Sequence, residues 1–145
     1  LGHRSILADP RNRTNWKKVN IVKSREQWRP FAPVVAEKDF KKYFCFSPKK
    51  TPYMLFTAKV YKKILPAITH FDDSSRVQTV NKKDNNLFKI LKEFEKITSV
   101  PVLMNTSFNG PGQPIVETYE DAINFFLNSK LDVLYIENYK VTKRY

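Results

Sequence analysis

Apolar residues recur along this chain with two different periods, and these periods predict its elements. Spacings of three and four residues, which describe one face of a helix, predict helices at Asn12–Lys23, Lys38–Phe44, Asn86–Thr98 and Tyr119–Ser129. Short apolar or alternating runs predict strands at Phe31–Ala36, Tyr53–Val60, Ala67–Phe71, Arg76–Val80, Val100–Met104 and Asp132–Glu137, with a closing hairpin strand at Tyr139–Thr142. Thr118 is the expected N-cap of the last helix, with Asp121 at the reciprocal capping position.

The order of these elements predicts the fold class. Helices alternate with short strands, but most neighbouring strands lack the crossover helix that a purely parallel sheet requires. We therefore expect an α/β fold in which helices pack on a mixed sheet. The chain has 145 residues and contains no repeat, low-complexity tract or Gly/Ser linker, so we expect one domain over 1–145. Because it begins with Leu1, we expect that domain to be a fragment of a longer protein.

Composition excludes several classes of protein. Hydrophobic residues make up 41% of the chain, which is too many for a disordered polypeptide. No apolar run reaches the roughly 18 residues of a membrane span, and no signal peptide opens the sequence. One cysteine and two histidines argue against a disulfide framework and a protein-bound metal. We therefore expect a cytoplasmic protein with no membrane partner.

Charge points to anionic ligands. The chain has 26 Lys and Arg against 14 Asp and Glu, a net charge of +12, and residues 1–36 carry half of it. Such a surface attracts nucleic acid, acidic membranes or phosphorylated small molecules. Five of the seven arginines lie in residues 1–36, and the planar guanidinium suits phosphate and carboxylate geometry.

Three segments could carry chemistry: 23–33, 104–112 and 69–79. Lys23, Arg25 and Arg29 leave a helix end and enter a turn restrained by prolines, where preorganised cations could bind phosphate. The alternative is a set of cations that favours the helix dipole. In the second segment an apolar strand ends in polar residues, and three of these alternate on one face: Asn105, Ser107 and Asn109. They could orient a ligand, or they could form an ordinary Asn/Ser/Gly turn.

The third segment, 69–79, has the isolated cation Arg76 at the start of an apolar strand. Its His70, Asp72 and Asp73 are too few ligands to predict a metal site.

Four blocks of the sequence resemble a known family. They are LGHRSILADP at 1–10, RPFAP at 29–33, RVQTV at 76–80 and PVLMNTSFN at 101–109. In this order they resemble the C-terminal domain of the NodU/CmcH/TobZ carbamoyltransferases. The segment GQPIV at 112–116 and the helix start at 120–122 also fit. The resemblance covers nearly the whole chain.

The resemblance implies a fold, an activity and partners. The fold would be a YrdC-like, twisted open mixed sheet with a concave basic pocket. The substrates would be carbamoyl phosphate and ATP, with Mg²⁺ accompanying the ATP, and the product would be carbamoyl-adenylate. A larger N-terminal domain of the same enzyme, absent from this chain, would then pass the carbamoyl group to an acceptor hydroxyl.

The resemblance also assigns residues. Lys23 and Arg29 would be catalytic and, with Arg76, would bind carbamoyl phosphate or the ATP phosphates. Asn105 and Ser107 would orient the carbamoyl group or the nucleotide. Lys23-Ser-Arg25 and Ser107-Phe-Asn109 also resemble the Lys-x-Arg and Ser-x-Asn pairs of YrdC-like proteins. This resemblance adds Arg25 and Asn109 to the binding residues.

Two other functions compete with this interpretation. The net charge of +12 would suit an RNA-binding module, and YrdC proteins proper make threonylcarbamoyl-adenylate for tRNA modification. General basicity does not explain why arginines and small polar residues occur at these positions. We therefore rank the carbamoyltransferase domain first and expect no nucleic-acid partner.

Overall fold

The computed structural model describes residues 2–26, 28–46, 50–61, 64–83 and 85–144. Its strands are β1 (Ser5–Ala8), β2 (Ala32–Ala36), β3 (Phe44–Cys45), β4 (Thr57–Val60), β5 (Ser74–Arg76), β6 (Gln78–Val80), β7 (Val102–Ser107), β8 (Leu134–Ile136) and β9 (Tyr139–Val141). Its helices are α1 (Arg13–Lys23), α2 (Phe40–Tyr43), α3 (Asn85–Thr98) and α4 (Tyr119–Asn128), with a 3-10 turn at Glu37–Asp39 ahead of α2. No helix in the described ranges is long and apolar enough to cross a membrane.

The main sheet has four strands in the order β1-β7-β2-β6. β7 is antiparallel to both of its neighbours, and β2 is parallel to β6, so the mixed α/β fold predicted from the sequence is confirmed. With these directions, the end of β7 lies at the same edge of the sheet as the starts of β1, β2 and β6. Smaller antiparallel sheets are formed by β3-β4-β5 and by β8-β9.

Alternating side chains of the main sheet enter two separate cores. On one face, Val34 and Leu103 pack with Leu87 and Leu91 of α3. On the other face, residues such as Val35 and Val102 join a larger cluster that includes residues of α1, α2, α4 and the second sheet. Because side chains alternate along each strand, both faces of the sheet carry apolar residues, and helices cover each face.

Most predicted elements are present with changed bounds; most are shorter, whereas β7 begins two residues later than predicted and extends to Ser107. Asn12 caps α1 by accepting a hydrogen bond from the Thr14 amide, and Thr118 and Asp121 form the capping box of α4. The predicted helix at Lys38–Phe44 is a 3-10 turn followed by the single turn of α2. The predicted strand at Arg76–Val80 is divided at Val77, because β5 pairs with β4 while β6 pairs with β2.

One predicted strand is wrong, and two observed strands, β1 and β3, were not predicted. Ala67–Phe71 is a set of turns, because its polar groups bond locally: the Ile68 amide and the Thr69 hydroxyl both donate to the Leu65 carbonyl. Strand β1 lies in a segment with weak alternation. Its pairing with β7 identifies it as a strand, and only the tertiary structure shows that pairing.

Candidate functional site

A cavity of about 660 Å³ opens where the main strands share an edge. That volume is within the range of roughly 300–1,000 Å³ usual for small-molecule sites. The end of β7 contributes one wall, the starts of β1 and β2 contribute others, and Arg76 comes from the junction of β5 and β6. Its lining residues are Gly2, His3, Arg4, Ser5, Arg25, Pro30, Phe31, Ala32, Met54, Arg76, Asn105, Thr106, Ser107 and Ile115.

Arginines from three separate elements line this cavity. Helix α1 ends at Lys23, and Ser24 adopts a left-handed conformation (φ 43°) that turns the chain out of the helix before Arg25. Arg76 ends β5, and Arg4 precedes β1, where its Nη1 donates to the Val116 carbonyl at 2.9 Å. A cavity lined by three guanidinium groups suits an anion that carries several oxygen atoms.

Arg25 is in an electrostatically unfavourable position. Its Nε is buried without a hydrogen-bond partner among the described residues, and its guanidinium lies 5.0 Å from the centroid of the Phe31 ring. Burial lowers the pKa of Arg25, and the positive charges of Arg29 and Arg76 lower it further, while Glu26 opposes this effect. An anion in the cavity would relieve both the missing hydrogen bond and the repulsion between cations.

Lys23 lies behind the cavity wall and is only 6% exposed. Its Nζ donates to the carbonyl oxygen of Ser107 at 3.0 Å and to that of Asn109 at 2.9 Å. It also contacts Ser107 Oγ at 3.2 Å and Asn109 Oδ1 at 2.5 Å. Burial lowers the pKa of Lys23 to about 8, and the charge of Arg25 contributes. The ammonium group therefore joins the end of α1 to the segment after β7 and adds positive charge behind Ser107.

Neutral hydrogen-bonding groups complete the wall formed by β7. Asn105 is 2% exposed, and its Nδ2 donates to Gln78 Oε1 at 2.7 Å, which orients the amide. The Ser107 hydroxyl donates to Asn109 Oδ1 at 2.6 Å, while Asn109 Nδ2 donates to the Gln113 carbonyl at 2.7 Å. These polar groups are thus held in fixed positions before any ligand binds.

The structure brings most of the predicted site residues together. Four of them line the cavity: Arg25, Arg76, Asn105 and Ser107. Lys23 and Asn109 are absent from the lining and support Ser107 from behind. Arg29 is also absent from the lining; its Nε lies 3.6 Å from Glu26 Oε2, and its guanidinium stacks over the exposed Trp28 ring.

Sequence reasoning did not select Arg4 and His3, which also line the cavity. Both precede β1, a strand that was not predicted. The available signal was the block LGHRSILADP at 1–10, which carries part of the family resemblance and contains both residues. No group of three or more His, Cys, Asp and Glu residues that could hold a metal ion occurs in the part of the chain that the structure describes.

The chain is thus an α/β domain with a cavity at one edge of a mixed sheet, and arginines and small polar residues are among the residues that line this cavity. Residues 1–143 match the family described as "Carbamoyltransferase C-terminus". The match covers nearly the whole chain, so this protein belongs to that family, and the resemblance stated above is confirmed.

Individual relatives agree with this assignment. The chain is 44% identical to nodulation protein NolNO of Sinorhizobium fredii over 99% of its own length and 22% of that protein. It is 43% identical to nodulation protein NolO of Bradyrhizobium diazoefficiens, again over 99% of the chain and 28% of the relative. Identity to the 3'-hydroxymethylcephem-O-carbamoyltransferase of Amycolatopsis lactamdurans is 37% over 85% of the chain and 24% of that enzyme. The chain thus spans about a quarter of the length of these relatives.

Proposed function

We propose that this domain converts carbamoyl phosphate and ATP to carbamoyl-adenylate in the cytoplasm. A larger N-terminal domain of the same enzyme would then transfer the carbamoyl group to an acceptor hydroxyl. Family membership and the name of the cephem O-carbamoyltransferase support the carbamoyl chemistry. The much greater length of the relatives supports the second domain.

The position of Arg25 is the observation that carries the proposal. Its buried Nε has no partner among the described residues, and Arg29 and Arg76 raise the local positive charge. Both substrates present phosphoryl oxygens, which are the complementary acceptors for guanidinium groups. Asn105 and Ser107 add neutral groups to the same cavity, and these suit the amide of a carbamoyl group.

The proposed reaction has two steps. Carbamoyl phosphate takes up one water molecule, its bond between the carbamoyl group and the phosphate breaks, and carbamate and orthophosphate form. A carbamate oxygen then attacks the α-phosphorus of ATP, and pyrophosphate leaves as carbamoyl-adenylate forms. Mg²⁺ enters as part of the MgATP substrate. Negative charge accumulates on phosphoryl oxygens, so fixed cations and hydrogen-bond donors contribute most of the catalysis.

Pyrophosphate release from ATP, measured in the presence of carbamoyl phosphate, tests this proposal. We expect release to depend on carbamoyl phosphate and to be unaffected by threonine. Arg25→Ala should lower kcat/KM by on the order of 100-fold, because removal of one preorganised contact to the transition state costs about 3 kcal/mol. The control is Arg144→Ala, which removes an exposed arginine near the end of the chain and should leave the rate unchanged.

Two results would contradict the proposal. Pyrophosphate release that needs threonine would favour threonylcarbamoyl-adenylate synthesis. The second result has two parts: mass spectrometry finds no carbamoyl-adenylate in a reaction mixture that contains both substrates, and the protein binds RNA in a salt-sensitive way that survives Arg25→Ala. This result would favour the nucleic-acid-binding alternative.

A further inference from the structure

Trp28 is an exposed aromatic residue in a segment that lines the cavity at both ends. Arg25 lines the cavity on one side of it and Pro30 on the other, yet the Trp28 side chain is 74% exposed. Two peptide units separate Trp28 from Pro30, so their Cα atoms are at most about 7.6 Å apart. The backbone of Trp28 is therefore close to the cavity, and its indole is open to solvent.

The backbone that carries Trp28 is held in place. Trp16 Nε1 donates to the Arg29 carbonyl at 3.1 Å, and the Arg29 amide donates to the Glu26 carbonyl at 3.1 Å. Pro30 restricts φ at the next position, and Phe31 then enters the core with 2% exposure. These contacts restrain the segment on both sides of the exposed ring.

One face of the indole already has a cationic partner. The Arg29 guanidinium carbon lies 5.6 Å from the centroid of the Trp28 ring, within the range of a cation–π interaction. This contact gives Arg29 a role outside the cavity lining. The opposite face can accept a flat aromatic group, which would place that group, the indole and the guanidinium in one stack.

The ring of Phe31 in the cavity lining is not open to stacking with a base. Phe31 is buried, and Arg25 lies over its ring. A nucleotide whose phosphates contact Arg25 and Arg76 can direct its base towards the rim. Trp28 offers the large π surface on which nucleobases stack regardless of their hydrogen-bonding edges.

We propose that Trp28, with Arg29 stacked behind it, is the platform for the adenine base of the ATP bound in this cavity. This inference rests on the proposed function, since it requires ATP to be a ligand. It assigns Trp28 to nucleotide affinity and assigns Arg29 to positioning of the indole. Trp28 would contribute to binding of the base and not to binding of the phosphates.

Binding measurements on the 145-residue chain test this assignment. ATP and tripolyphosphate, which lacks the base and ribose, are titrated by calorimetry into the wild type, Trp28→Ala and Trp28→Phe. We expect Trp28→Ala to weaken ATP about 5- to 150-fold, which corresponds to a stacking contribution of about 1–3 kcal/mol, and to leave tripolyphosphate unchanged. Trp28→Phe keeps an aromatic ring and should recover part of the affinity.

Fluorescence and a matched rim variant complete the test. ATP should quench the indole emission of the wild type, whereas Trp28→Phe, which retains only Trp16, should show no ATP-dependent change. Tyr53→Ala removes another exposed ring beside the lining residue Met54 and should bind ATP normally. Equal ATP affinity in wild type and Trp28→Ala, or an equal loss in Tyr53→Ala, would overturn the assignment to Trp28 and leave the proposed function standing. Failure of the wild type to bind ATP would overturn both.

Discussion

Lys23 illustrates how the charge of one buried residue can set the pH range of a site. Its pKa is about 8, against 10.5 for a free lysine, because the ammonium group is buried and lies near Arg25. The side chain is protonated at neutral pH and loses its charge as the pH rises through about 8. A charge that adds to the field of the cavity is then lost.

The ratio of the pyrophosphate affinity of the wild type to that of Lys23→Met should depend on pH. We expect this ratio to fall several-fold as the pH rises through about 8. Dividing the two affinities at each pH removes the titration of pyrophosphate itself, and calorimetry supplies both values. A ratio that does not change with pH would show that the charge of Lys23 does not contribute to anion binding.

The same pKa predicts a stability difference. Between pH about 8 and 10.5 the unfolded chain binds more protons than the folded chain, so the free energy of unfolding should rise with pH in this window. Over the same pH window, the free energy of unfolding of Lys23→Met should rise less than that of the wild type. Urea denaturation at a series of pH values measures both.

At the scale of elements, a buried carboxylate joins α3 to the turn before α2. Asp39 is 1% exposed; its Oδ1 lies 2.7 Å from Lys42 Nζ and its Oδ2 lies 3.2 Å from Lys92 Nζ. Burial opposes its ionisation, but hydrogen bonds from the two lysines hold the pKa of Asp39 below its usual value. The carboxylate thus fixes α3 against the chain segment that follows β2.

We expect Asp39→Ala to lower the free energy of unfolding by about 1–3 kcal/mol, because it removes the buried acceptor of two lysines, although Lys92 keeps its pair with Glu95. The control is Glu93→Ala, which breaks the exposed pair with Lys96 and should cost less than about 1 kcal/mol. Urea denaturation measures both. Equal losses in the two variants would contradict the proposed role of the buried pair.

At the scale of the whole molecule, the site exists because distant segments meet at one sheet edge. Arg25 follows α1, and Arg76 ends β5 in the second sheet. Both line the same cavity. If the two arginines bind one anion, the loss of anion affinity on removing one side chain must depend on whether the other side chain is present.

A double-mutant cycle on pyrophosphate affinity measures this dependence. We expect a coupling energy above about 0.5 kcal/mol for Arg25→Ala with Arg76→Ala. The pair Arg25→Ala with Arg144→Ala should be additive within about 0.5 kcal/mol, because Arg144 is exposed and does not line the cavity. Additivity in the first pair would indicate that the two arginines serve different ligands.

The sequence by itself determined the elements whose signals are local. The apolar stripe of α3, the cap Thr118 and the apolar run of β7 each depend on residues a few positions apart, so periodicity and side-chain chemistry were sufficient. The set of cations and small polar residues was also visible in the sequence. The resemblance supplied the family.

Only the tertiary structure decided where those residues act. Lys23 bonds to Ser107, 84 positions away, and this contact puts the lysine behind the cavity wall instead of in the lining. Arg29, which has a similar sequence context, stays outside and covers Trp28. Strand β1 and the division at Val77 also depend on strand pairing. Long-range hydrogen bonding and burial select among conformations that the local sequence leaves equally open.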